Sequence, residues 1–305
     1  MIVLTADMGG TRIKLGRAEV SADAAEIVES AVLDAASDRG LVARLPAVSE
    51  ALWALNPGGE AVGLGVCFAS ITVGDRVTTS FGKYEDAPGV DLGQWAREAL
   101  GLKLTLENDA RAAAVGEWRY GAGRGSDDQV MVTLGTGVGT CPIIQGRPLR
   151  GKHGQAGILG GHLAIPEGRT PCTCGSIGCG EAATGTATLP RRAPDRPDLH
   201  DYAAVFVAAE RGDADAARLR DEALRGWGEI AVNLIHAYDP ERLIVGGGVM
   251  GSRDMILPAV QRWVDDYACT PWGRVEVVAA ELGDAAGLLG VARLAAEPYF
   301  NPGDP

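Results

Sequence analysis

The chain has 305 residues, ample for two hydrophobic cores, so one large domain or two linked ones are expected. Its formal net charge of −12 disfavours nucleic acid or an anionic membrane as partner, since like charges repel at long range, and shifts weight to a small-molecule function. No apolar run approaches the roughly 20 residues of a membrane helix, and the first residues lack a basic segment followed by a long apolar one, so the expected location is the cytoplasm.

The opening "MIVLTADMGGTRIKLGRAEV" reads as strand, glycine turn, strand, because β-branched and apolar residues flank the breaker. Such a turn is either a tight hairpin or a phosphate cradle, since glycine lets backbone N–H groups converge on phosphate oxygens. In the second reading Gly9, Gly10 and the Thr11 hydroxyl face phosphate, and Asp7 attracts Mg²⁺. "EAVGLGVCFASITV" follows as a buried strand and "DLGQWAREALGL" as an amphipathic helix. In "LTLENDARAAAVGEWRYGAG" a short strand ends at Glu107-Asn108-Asp109, and an Ala-rich helix runs to Gly121 and Gly123. A carboxylate at such a junction is a candidate general base, Asp109, with Asn108 beside it to hold the substrate. The same residue types are also the preferred helix N-caps, and the two readings are compatible.

"QVMVTLGTGVGTCPIIQGRPL" repeats the strand, glycine turn, strand plan and supplies Gly135, Thr136 and Gly137. Neither turn matches the P-loop or the dinucleotide-binding pattern, but the pair favours a nucleotide site. Further on, "CTCGSIGCGE" crowds three of the six cysteines into a few residues. With His162 upstream, Cys172, Cys174 and Cys179 form the soft tetrahedral donor set of a closed, structural Zn²⁺ site; chance clustering or a redox role is the alternative. The ion would fix the position of Glu181, and the second ring nitrogen of His162 would be free to face a substrate hydroxyl. Cys67, Cys141 and Cys269 stand alone and read as ordinary cysteines. A Pro- and charge-rich connection near residue 190 leads to a long helical stretch, then "ERLIVGGGVMG" as strand and glycine loop, and "DAAGLLGVARLAAEP" as a closing helix. No flexible linker is visible, so two domains would exchange chain segments rather than hang on a tether.

Taken together, "DMGGT", "ENDARAAAVGEW", "TLGTGVGT", "GGH", "CTCGSIGCGE", "DPERLIVGGGV" and "DAAGLLGVA" resemble, in order and spacing, the ROK (repressor, open reading frame, kinase) family over essentially the whole length. The resemblance implies an actin-like, hexokinase-like (ribonuclease H-like) two-domain α/β fold with a cleft between domains. Residues 1–108 plus 288–305 would form a small N-terminal domain with a returning C-terminal helix, and residues 109–287 a large domain with the zinc loop. It implies ATP and Mg²⁺ as phosphoryl donor and metal, Asp109 as base, and Asn108, His162 and Glu181 as sugar contacts. His162, Cys172, Cys174 and Cys179 would hold the structural Zn²⁺, and Gly247 and Gly248 would lie near the adenosine. Homo-oligomers, dimers or tetramers, are common among such enzymes. No helix-turn-helix precedes the first glycine turn, which favours the kinase branch over the repressors.

Two departures bear on the acceptor. Where the family has Glu-x-Gly-His, this chain has Leu159-Gly160-Gly161-His162, so a carboxylate that accepts from sugar hydroxyls is an alkyl group. The family's sugar loop is replaced by "FASITVGDRVTTSFGKYEDAPGVDL", with Lys83, Tyr84, Glu85 and Asp86 in that neighbourhood. The acceptor expected is therefore the primary (O6-equivalent) hydroxyl of a hexose or modified hexose, or that of a C7 cyclitol, which lacks the usual anomeric hydroxyl. A non-catalytic sugar sensor on the same fold is the reading from another class.

Overall fold

A computed structural model describes residues 1–80, 82–166 and 170–300. Phe81 of the replaced sugar loop, residues 167–169 ahead of the cysteines and residues 301–305 of the expected returning segment lie outside the described residues. The chain divides into two units, each discontinuous in sequence: one of Met1–Arg124, Arg150–Ala156 and Asp284 onward, the other of Gly125–Leu149 and Gly157–Gly283.

The first unit opens with β1 (Ile2–Met8), β2 (Arg12–Val20) and β3 (Ala25–Asp34), followed by α1 (Leu45–Ala54) and β4 (Ala61–Phe68). A two-residue hairpin, β5 (Thr72–Val73) and β6 (Arg76–Val77), precedes α2 (Leu92–Leu100), β7 (Leu104–Asn108) and α3 (Asp109–Tyr120). The second unit contains β8 (Gln129–Leu134), β9 (Val138–Ile144), β10 (Arg147–Pro148), α4 (Gly180–Thr184), α5 (Leu189–Arg192), α6 (Tyr202–Glu210) and α7 (Ala214–Tyr238). It closes with β11 (Arg242–Gly246), α8 (Arg253–Tyr267) and β12 (Glu276–Ala279), and the chain then returns to the first unit as α9 (Ala286–Phe300).

In the first unit the sheet order is β3-β2-β1-β4-β7, with β1 and β2 an antiparallel hairpin and β4 and β7 parallel to β1. Because side chains alternate across a strand, Val3 meets Ala292, Ala295 and Ala296 of α9 on one face. Leu4, Ala6 and Met8 meet Val48 and Leu52 of α1 and Leu92 and Ala96 of α2 on the other. Both faces are covered, so β1 and β4 are apolar almost throughout. Helices α3 and α9 approach backbone to backbone: a Cβ at Gly116 would overlap the carbonyl of Ala286, and one at Gly290 that of Ala112.

The second sheet repeats the plan in the order β10-β9-β8-β11-β12, again a hairpin followed by parallel strands. Its core joins Val132 and Val245 to Phe206 of α6, Leu234 of α7 and Ile256 of α8. Two such units are the actin-like, hexokinase-like α/β architecture expected from the sequence. Among the described residues no helix is long and apolar enough to cross a membrane.

Candidate active site and metal centre

In the first unit the parallel strands end in register: Asp7 lies opposite Cys67, which lies opposite Glu107, and Met8, Phe68 and Asn108 follow one residue on. Asp7, the Gly9-Gly10 turn and Asp109 therefore share the carboxyl-terminal edge of the sheet, where open α/β folds gather their ligands. Asn108 is the N-cap of α3, its Oδ1 accepting from the Arg111 backbone N–H at 3.0 Å. Its amide Nδ2 donates to the Ser70 carbonyl at 3.1 Å and to Asp109 Oδ1 at 2.9 Å. Asn108 thus takes the cap position, and Asp109 follows as the first helical residue.

Asp109 Oδ1 also accepts from the Ala110 backbone N–H at 2.9 Å, whereas Oδ2 accepts no hydrogen bond among the described residues. Burial pushes this carboxyl up to about 6, and the negative charge of Asp7 adds to the effect. Burial raises Asp7 as well, partly offset by the Lys14 ammonium. A carboxylate titrating just below neutrality with one open oxygen is suited to accept a proton.

An ion cluster around the buried Glu107 and Arg111 supports this junction and was not foreseen from the sequence. Glu107, 1% exposed, accepts from Arg111 Nη1 at 2.6 Å and from the Asn108 backbone N–H at 2.8 Å, and its other oxygen meets Arg150. Arg111, fully buried, also donates to the carbonyls of Gly154 (2.9 Å) and Ala156 (3.3 Å), fixing the 150–156 segment to this unit. The available signal was an arginine inside the otherwise apolar run of α3. Arg111→Ala leaves a buried carboxylate short of a partner, so urea unfolding is expected to show a loss of about 3–5 kcal/mol. A loss under about 1 kcal/mol would remove the cluster's supporting role.

In the second unit the Gly135–Gly137 turn joins β8 to β9, its carbonyls accepting from the Thr186 and Ala187 backbone N–H groups at 3.0 Å each. Parallel pairing of Thr133 with Gly246 brings the Gly247-Gly248 loop beside it. A Cβ on Gly135 would sit 4.0 Å from the Gly248 backbone nitrogen. Gly247 has φ +98° and a Cβ there would overlap the Leu134 backbone, so only glycine fits. Glu181, in the first turn of α4, accepts from the Val138 backbone N–H at 2.8 Å and fills the space beside Gly137. Its other oxygen lies 3.9 Å from His162 Nε2.

The donor atoms of His162, Cys172, Cys174 and Cys179 all lie within 4.8 Å of one another. His162 Nδ1 is 3.5 Å from the Cys172 sulfur, and the sulfurs of Cys174 and Cys179 are 3.6 Å apart. Those separations match the edges, about 3.5–3.8 Å, of a tetrahedron with zinc-length bonds to nitrogen and sulfur. The loop is shaped for this by bridges pairing Ala164 with Cys179 and Pro171 with Ile177, and by Gly175 and Gly178 at φ +88° and +97°. The residues fit a closed zinc site with the two His162 nitrogens divided, Nδ1 toward sulfur and Nε2 toward Glu181. Cys67 and Cys141 are buried and Cys269 exposed, each apart from this cluster.

A model of the ROK family matches residues 3–297. A glucokinase of Thermotoga maritima is 30% identical over 95% of this chain and 96% of its own length. A glucokinase of Streptomyces coelicolor is 31% identical over 97% of this chain and 98% of its own. Among solved structures, a ROK family glucokinase from Streptomyces griseus in complex with glucose and AMPPNP superposes with a TM-score of 0.80 at 29% identity, covering 97% of this chain and 100% of that one.

Proposed function

This chain belongs to the ROK family and is a phosphotransferase with an alcohol acceptor, and on that footing we propose that it is an ATP-dependent kinase for the primary (O6-equivalent) hydroxyl of a hexose or sugar-like substrate. The observation that carries the reading is Asp109: one oxygen fixed by Asn108 and the α3 backbone, the other open, with burial pushing the carboxyl up to about 6. As the acceptor oxygen bonds to the γ-phosphorus, its proton passes to Asp109 Oδ2. The bond from that phosphorus to the bridging oxygen breaks, and its electron pair leaves on ADP.

In this reading Asn108, His162 and Glu181 bind the acceptor. The turns at Gly9, Gly10 and Thr11 and at Gly135, Thr136 and Gly137 hold phosphates, and Gly247 and Gly248 lie near the adenosine. Asp7 holds Mg²⁺, which would supply charge neutralisation to the phosphates. His162, Cys172, Cys174 and Cys179 hold a structural zinc, which would supply rigidity to the loop carrying Glu181.

A second reading, a C7 cyclitol as acceptor, is favoured by Leu159, half-buried beside the Gly160–His162 turn where the family has a sugar-binding carboxylate. A sugar hydroxyl deprived of its acceptor loses about 1–3 kcal/mol of affinity. ADP release over a panel of hexoses, amino sugars and cyclitols tests both. The hexose reading expects a kcat/KM of about 10⁴ M⁻¹s⁻¹ or more for a hexose, which would remove the cyclitol. Turnover of none of them would leave only a sugar-sensing role.

A further inference from the structure

The segment that replaces the family's sugar loop carries a cation to the first glycine turn. Tyr84, 1% exposed and held at φ +51°, donates from its hydroxyl to the Gly9 carbonyl at 3.1 Å. Two residues on, the Asp86 carboxylate accepts from the backbone N–H groups of Leu41 (2.6 Å) and Val42 (3.0 Å). These anchors hold the backbone that follows Lys83. The stem of Lys83 crosses Gly10 so closely that a Cβ on that glycine would overlap its Cδ and Cε and lie 2.9 Å from Nζ. The Lys83 charge acts on both Asp7 and Asp109, and its ammonium makes no ion pair or hydrogen bond among the described residues. Lys14, the other cation acting on Asp7, is already paired with Asp284 at 3.1 Å.

The electrostatics of the turn call for such a group. Two carboxylates, Asp7 and Asp109, stand where a polyphosphate must approach, and their repulsion grows as water is excluded. A neutral alcohol would gain only a hydrogen bond from an ammonium laid over Gly10, whereas a phosphoryl group beside that backbone gains charge neutralisation as well. A lysine ammonium is a compact point charge that binds phosphate oxygens without demanding a fixed orientation.

We infer that Lys83 is a further catalytic residue, its ammonium contacting the oxygens of the phosphoryl group as it moves from ADP to the acceptor. The inference rests on the kinase reading above. Lys83 takes no proton and forms no bond to phosphorus; it offsets charge that is greatest in the transition state.

The test compares wild type, Lys83→Ala and Lys83→Arg with MgATP and the best acceptor of the panel. Lys83→Ala is expected to lower kcat about 100-fold while the acceptor KM stays within about threefold, and Lys83→Arg to recover at least about a tenth of the wild-type rate. Loss of the positive neighbour should also move the acid limb of the kcat/KM profile to higher pH, a change that a merely structural role would not produce. A Lys83→Ala kcat within about threefold of wild type, or a loss confined to the acceptor KM, would overturn the inference while leaving the kinase reading intact. A wild type that phosphorylates nothing would overturn both.

Discussion

Asp109→Asn is expected to lower kcat about 1,000-fold with nucleotide binding and the fold intact, because asparagine keeps the Oδ1 contacts to Ala110 and Asn108 and lacks only a basic oxygen. The wild-type profile carries the same signature. With the carboxyl pushed up to about 6, kcat/KM should rise with pH through that value and level off above it, because the protonated acid cannot accept a proton. The stability of the free protein follows the opposite course. A folded-state value raised from 3.8 to about 6 means that the native state binds this proton more tightly, so its contribution is complete below about 4 and is lost as pH rises through about 6. Asparagine carries no such penalty, and Asp109→Asn should be the more stable protein at pH 8 by at most about 3 kcal/mol, with the difference vanishing near pH 4. Thermal unfolding at the two pH values checks this. A variant that is less stable at pH 8, or a variant that keeps wild-type kcat, would end the assignment.

Removal of the proposed zinc is expected to have the second large effect. Cys179, buried and leading directly into α4, links the donor cluster to Glu181 two residues on. A strong zinc chelator should release about one equivalent of zinc per chain, and chelation or Cys179→Ser should lower Tm and reduce kcat/KM by about 100-fold or more if Glu181 contacts the acceptor as proposed, since an ångström of misplacement there has that consequence. Adding zinc back should restore the chelated wild type and not the variant. Purified protein free of zinc but fully active would contradict the metal assignment.

The features legible in the sequence are the local ones. Both glycine hairpins are written within about twenty contiguous residues each, as is the strand-to-helix junction at "ENDA", and the cysteine cluster lies within a single loop. What escaped is either featureless or distant. Strand β3, "AEIVESAVLD", lies at the sheet edge with no fully buried residue and its alternation broken in the middle, so no apolar run marks it. The bonds from Glu107 to Arg150 and from Tyr84 to Gly9 join positions 43 and 75 residues apart, and no spacing rule reaches that far. The helix-cap reading of Asn108 is met by its Oδ1, whereas its amide contact with the Ser70 carbonyl, 38 residues away, is again beyond any spacing rule. The raised Asp109 carboxyl likewise arises from burial and from Asp7, a residue on another strand.

The most direct measurement is a ³¹P NMR comparison of products from wild type and Asp109→Asn incubated with MgATP and the preferred acceptor. The expected product is a phosphate monoester on a CH₂ carbon, formed by the wild type and absent from the variant over the same period. Inorganic phosphate as the sole product, or the ester formed equally fast by both proteins, would contradict it.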